Sequence, residues 1–179
     1  MEDRLFILNI ETRELKFITT ALEIVSNPTW KRSGEGIYFS RVEQHRQVML
    51  DYDIPSDSLT RKEKGIIHLK ELADGRIFVV DEQKGLYQVM PDSNRLFITK
   101  LPRTSNNYWH IQKSYLYFSH DEKNKSYLSR IDMTTGHKEV QVMAENVWIQ
   151  GFNLHPEGRK LLIVQSLLAD SNLVKVNWQ

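Results

Sequence analysis

Histidines and paired acids are the residues of this 179-residue chain whose types could support chemistry. The histidines are His45, His68, His110, His120, His137 and His155. No two stand at the i, i+4 spacing that places zinc ligands on one helix face. The absence of cysteine excludes thiolate metal sites, disulfides and cysteine nucleophiles. His120-Asp121-Glu122 is the most metal-like cluster. It stands where a strand gives way to a polar turn beside Lys123 and Lys125, so a solvated loop is expected there. Asp51 and Asp53 share one face of a strand, because alternate residues point the same way. A bound cation and plain exposure explain that pair equally well. No G-x-S-x-G motif occurs, so a hydrolase reading of the dipeptidyl-peptidase kind lacks its hydrolase domain. Gly34-Glu35-Gly36 precedes a strand and not the helix that a phosphate loop requires. No carboxylate pair can be assigned to glycoside cleavage. These residues therefore predict a non-enzyme, with no catalytic residue, no cofactor and no metal.

The elements that carry these residues repeat. Four segments share one plan: an aromatic or apolar run, a polar turn, then a strongly apolar β run. They are Thr29-Trp30 through Ile37-Tyr38-Phe39-Ser40, Ile67-His68-Leu69 through Ile77-Phe78-Val79-Val80, Tyr108-Trp109-His110-Ile111 through Leu116-Tyr117-Phe118-Ser119, and Gly151-Phe152-Asn153-Leu154 through Leu161-Leu162-Ile163-Val164. With Ile37, Ile77, Leu116 and Leu162 as anchors, the spacings are about 40, 39 and 46 residues, near the roughly 40–45 of a propeller blade. The runs are short, β-branched or aromatic, and bounded by Gly, Pro, Asp, Asn and Ser, which is strand-and-turn chemistry. Two further strands follow in each unit. Ser126–Asp132 and the returning strand from Lys138 flank a turn at Met133-Thr134-Thr135-Gly136, and Gly85–Val89 and Arg95–Thr99 flank one at Pro91-Asp92-Ser93-Asn94. In the first unit Gln47–Asp53 is followed by a weak partner near Leu59, with Pro55–Lys64 read as a loop.

The expectation is an all-β protein: a β-propeller of about four four-stranded antiparallel blades, or a C-terminal fragment of a larger propeller. One domain covers 1–179, with repeats at 28–64, 65–105 and 106–146 and partial units at 1–27 and 147–179. The opening hairpin reads as the last two strands of a blade. The final run, Asn172–Trp178, reads as a third strand without a fourth. Either the ends complete one shared blade, or open edges await a partner; the fragment is the favoured reading.

In that frame four large side chains fall in the first strand of their units: Trp30, His68, His110 and Phe152. First strands line the central channel of a propeller, so these four are candidate channel-lining residues for a small-molecule ligand. The plainer reading is that they fill space between blades. Trp109 points away from His110 in a regular strand, so both cannot face a channel.

Composition narrows the partners. Hydrophobic content of 40%, charged content of 26% and a net charge of +1 are globular values without a field that favours nucleic acid or anionic lipid. Arg61-Lys62-Glu63-Lys64 is the nearest thing to a basic cluster and is expected as a solvated turn before a strand. No run approaches the roughly 18 apolar residues of a membrane span.

At its turns the chain resembles a known family. His155-Pro156-Glu157-Gly158-Arg159-Lys160-Leu161-Leu162 is similar to the S-P-D-G-K turn of TolB-type propeller repeats. Trp30–Phe39 resembles a rearranged version of it, and Asp74-Gly75-Arg76-Ile77-Phe78 keeps its Asp-Gly and following strand. Proline presets φ, an acidic side chain accepts turn N–H groups and glycine takes positive φ, so these residues are structural. The ending Asp170–Val176 resembles the final strand of propellers attached to CadC/ToxR-like winged-helix regulators. That resemblance implies a sensor or protein-interaction domain, the C-terminal part of a bacterial membrane-tethered transcription regulator, lying in the periplasm and making no DNA contact itself. Partners would be a protein, or a second copy engaged through open blade edges. The competing readings are a propeller hydrolase or lyase using the channel, and a self-assembling scaffold.

Overall fold

A computed structural model describes residues 4–20, 23–102, 108–122, 125–145, 147–154, 160–167 and 171–177. All regular elements among them are strands, in five antiparallel sheets. The chain divides into two compact units, Met1–Lys100 and Leu101–Gln179.

The first unit begins with a hairpin, β1 (Phe6–Leu8) and β2 (Leu15–Phe17). The first four-stranded sheet follows in chain order: β3 (Val25–Trp30), β4 (Gly36–Glu43), β5 (Arg46–Asp53) and β6 (Ser58–Lys64). The second contains β7 (Ile66–Glu71), β8 (Ile77–Asp81), β9 (Gly85–Val89) and β10 (Arg95–Lys100). The second unit holds β11 (Trp109–Gln112), β12 (Tyr115–Glu122), β13 (Lys125–Asp132) and β14 (Lys138–Glu145). A three-stranded sheet of β15 (Val147–Leu154), β16 (Lys160–Leu167) and β17 (Ser171–Asn177) completes it. Each sheet is a simple meander, in which every strand pairs with its chain neighbour. Three sheets are thus four-stranded, with a two-stranded sheet before them and a three-stranded sheet after them in chain order.

Turns that could be read from residue type hold as expected. Asp132 Oδ1 accepts the Thr134 N–H at 2.8 Å, and Gly136 takes φ +74° between β13 and β14. Asp92 Oδ1 likewise accepts the Asn94 N–H between β9 and β10. The β4–β5 turn carries no such signal. Gln44 and His45 adopt φ +48° and +65°, the two positive angles of a type I′ hairpin turn, without the usual Asn-Gly. The turn at 155–158 lies outside the described residues.

Two expectations change. Pro55–Lys64 is not a loop: residues 58–64 form β6, an exposed strand paired with β5. Its alternation is hidden because no residue on it is buried. The basic cluster at 61–64 is accordingly part of a strand and not a turn. His120-Asp121-Glu122 likewise belongs to strand β12.

The complete sheets bury apolar residues on both faces, so their second strands read as continuous apolar runs and not as an alternation. Tyr38 and Met49 on one face of the first sheet pack with Ile66 and Val79 of the second. Phe39, Val48, Leu50 and Tyr52 on its other face pack with Leu5, Ile7 and Ile18 beside and within the opening hairpin. In the second unit Tyr117 and Leu128 pack with Ile149 and Ile163.

Cluster membership also fixes which positions correspond. Phe39, Val79 and Ile163 all face the sheet that precedes their own. Leu161, and not Leu162, therefore matches Ile37, and the last spacing shortens to about 45 residues.

Phe39 and Phe78 are fully buried. Truncation of a buried phenylalanine typically costs about 3–5 kcal/mol through lost transfer energy and cavity formation. Phe39→Ala is expected to lower unfolding free energy by that amount in urea titration, whereas Thr12→Ala in the exposed first turn should change it by less than about 0.5 kcal/mol.

Candidate functional site

The four sequence candidates occupy four different places. Trp30 ends β3, is 55% exposed, and pairs with Ile37. His110 pairs with Tyr117, one residue beyond the corresponding anchor Leu116. Phe152 pairs with Ile163, two beyond Leu161. His68 pairs with Val80, three beyond Ile77. No two share a level along their first strands. The residues that do share the level of His110 are Thr29, Lys70 and Asn153, opposite Tyr38, Phe78 and Leu162. The candidates stand at different distances from turns that themselves span different numbers of residues: Trp30 pairs with Ile37, Glu71 with Ile77, Ile111 with Leu116 and Leu154 with Leu161.

Their surroundings differ as well. Phe152 packs against the Tyr117, Leu128, Ile149 and Ile163 cluster. Trp109 is buried beside a half-buried His110, as opposite faces of a strand require. His68 is buried, and its Nε2 lies 3.1 Å from Thr29 Oγ1. Burial, with the nearby Lys70 and Lys84 charges, holds its pKa down at about 3. Burial likewise lowers Lys70 to about 8.

The acidic candidates are engaged in structural bonds. Asp51 is buried between two ammonium groups, in contact with Lys31 and 3.1 Å from Lys62. Asp53 accepts the Ser56 N–H at 3.0 Å and its hydroxyl at 2.5 Å. The pair that sequence left open to a cation is occupied by lysines and a turn. Glu71 accepts bonds from the Tyr38 hydroxyl at 2.9 Å and the Arg32 N–H at 2.8 Å, which ties the first sheet to the second. Burial, followed by Glu71, raises the Tyr38 pKa far above its ordinary value. Asp121 accepts the Ser126 hydroxyl, and His120 stacks on Tyr127 with centroids 5.0 Å apart. No group of three or more His, Asp or Glu is arranged to hold a metal among the described residues.

The opening hairpin presents a different kind of surface. Its inner face packs on the first sheet, where Lys16 pairs with Asp57 at 3.0 Å and its ammonium lies over the Tyr52 ring. Its outer face carries Phe6 directly opposite Phe17 and Leu8 directly opposite Leu15. These four are about half exposed, at 48–52%. The phenylalanine rings meet edge to face with centroids 6.1 Å apart. Among the described residues neither β1 nor β2 pairs with a third strand. Sequence candidates did not include this face, although the unbroken run Leu5-Phe6-Ile7-Leu8 signals a hairpin that is apolar on both sides.

No protein-family model matches the chain, and no curated protein is similar to it in sequence. Solved structures do match. TolB from Acinetobacter baumannii covers 97% of this chain with a TM-score of 0.70 at 14% identity. The fold is that of a TolB-like β-propeller. The chain spans 46% of that TolB structure, less than half its length. An oligogalacturonate lyase from Vibrio parahaemolyticus covers 98% of the chain with a TM-score of 0.52 at 12% identity, and the chain spans 70% of it. The extracellular domain of a putative one-component system from B. thetaiotaomicron covers 82% with a TM-score of 0.53 at 17% identity, and the chain spans 20% of it. At these identities the likeness concerns the fold. No helix among the described residues is long and apolar enough to cross a membrane.

The buried histidine sets a pH dependence. His68 stays neutral in the folded state down to about pH 3, whereas the unfolded chain takes up a proton near 6.5. The unfolded state therefore binds more protons between those values. The stabilisation is present above pH 6.5 and is lost as pH falls toward 3, with a limiting slope of about 1.4 kcal/mol per pH unit. Urea midpoints measured from pH 7 to 4 should fall more steeply for the native chain than for His68→Gln.

Proposed function

We propose that this chain is a non-enzymatic propeller segment that acts as a sensor or protein-interaction module, the C-terminal part of a membrane-tethered bacterial transcription regulator facing the periplasm. The observation that carries the interaction role is the outer face of the hairpin. Phe6, Leu8, Leu15 and Phe17 form a contiguous apolar strip on a two-stranded sheet whose other side is already packed. Burial of such a strip is favourable at about 25 cal/mol per Å2, and a propeller sheet ordinarily has a neighbour on each face. A β-sheet partner, from another protein or a second copy, fits that strip.

Two further observations support the reading. The acids and buried polar groups that might have served chemistry are tied into ion pairs and turns that hold the sheets. Among structures of like fold is the extracellular domain of a putative one-component system, which is a signalling context. The regulator arm predicts a winged-helix segment and a membrane span in the parent protein, and a parent coding sequence that opens at Met1 would remove it.

Light scattering across a concentration series tests the interaction role. The native chain is expected to gain mass with concentration, while Leu8→Glu with Phe17→Glu should stay monomeric and keep its far-ultraviolet circular dichroism. A native chain that remains monomeric at high micromolar concentration would count against self-association through this face.

A further inference from the structure

A second surface lies on the first sheet, at the end where β4 turns into β5. A cleft of about 330 Å3 is lined there by Glu43, Gln44, Arg46, Val48, Arg61 and Lys64. Pairing explains why these residues meet. Glu43 stands opposite Arg46, Arg41 opposite Val48, and Phe39 opposite Leu50, so all six share one sheet face.

On β6 the pairing is Leu50 with Arg61, Met49 with Glu63 and Val48 with Lys64, which leaves Lys62 as an extra residue. This is a β-bulge. In a regular strand residues three apart point to opposite sides. Here the bulge returns both Arg61 and Lys64 to the face of Val48. Lys62 and Glu63 are turned to the other side, where they meet Asp51 and Arg95. Gly65, at φ +81°, then reverses the chain into β7.

Charge on this face does not balance. One Glu43 oxygen is held by Arg41 and the other by Arg61, and Glu23 also contacts Arg41. Both carboxylates are thereby committed to guanidinium groups. Arg46 and Lys64 are exposed and make no ion pair among the described residues. Four cations face two carboxylates, a local surplus in a chain whose net charge is only +1. Guanidinium groups hold oxyanions through paired N–H donors, and lysine adds a point charge.

We propose that this cleft binds an oxyanion group, a phosphate or a carboxylate, between Arg46, Arg61 and Lys64. The cleft and the outer face of the hairpin have no residue in common, so either site can fail without the other.

Titration of the native chain at low salt with inorganic phosphate and, separately, with citrate tests the site, followed by 1H–15N amide shifts. Saturable binding is expected for at least one anion, with shifts centred on residues 43–48 and 61–65. Tighter phosphate binding would identify a phosphate-bearing ligand, and tighter citrate binding a polycarboxylate. Each side chain would contribute a charge-assisted hydrogen bond to the anion, so Arg46→Gln with Lys64→Gln should weaken binding by roughly tenfold or more. Both side chains are exposed, and an unchanged amide spectrum away from the cleft confirms the fold. Lys100→Gln, outside the cleft, should bind like the native chain. The proposal is overturned if neither anion saturates, if the double variant binds equally well, or if Lys100→Gln loses as much affinity.

Discussion

Burial of apolar side chains on both faces of the same short sheet is the constraint on which the rest of the structure depends. The β4 strand shows it within two residues. Tyr38 faces the second sheet and Phe39 faces the opening hairpin, and both are removed from water. A sheet with two buried faces cannot be stable alone, and each needs a neighbour before and after it. Polar groups between sheets must then be satisfied internally, because water does not reach them. The Tyr38–Glu71 hydrogen bond, the Lys31–Asp51–Lys62 grouping and the Thr29–His68 contact meet that need in the first unit. Polar residues that look reactive in the sequence are therefore mostly the polar fraction of this packing.

The same constraint gives meaning to the first hairpin. Isolated two-stranded sheets are marginal in water. This one is held by Leu5, Ile7 and Ile18 on its inner side and by the Lys16–Asp57 pair. Its outer side repeats the composition of the buried faces without being covered, which is the physical basis for reading it as an interaction surface.

Much of the fold was legible in the sequence because strands with two buried faces leave long apolar runs, and turns leave Asp, Asn, Gly and Pro. Ile37–Ser40, Ile77–Val80 and Leu116–Ser119 fall within β4, β8 and β12, and the turns at 91–94 and 133–136 are where residue type put them. Strand β6 was legible only as a weak partner near Leu59, for the opposite reason. It is exposed along its whole length, so its residues answer to charge and solvent and not to a core. The candidate site was read least well. Trp30, His68, His110 and Phe152 looked equivalent by position, yet register places them at four successive levels. Their levels depend on how far each stands from its turn and on where pairing begins across turns of unequal length, which residue type does not show. The gathering of Arg61 and Lys64 beside Arg46 was hidden because the bulge at Lys62 leaves no mark in residue type.

The bulge at Lys62 has an evolutionary side. Because it is an added residue and not a residue type, no point substitution can create or abolish it. Gain or loss of one codon does so, but losing Lys62 would leave Arg61 and Lys64 two apart in a regular strand and still on one side of the sheet, so the bulge accommodates an added residue without moving the basic pair. Among related chains the basic pair could therefore keep its side of the sheet while the strand gained or lost one residue and, with it, the Lys62 contact to Asp51. Comparison of such chains by gap position, and not by residue identity, would trace where the added residue arose.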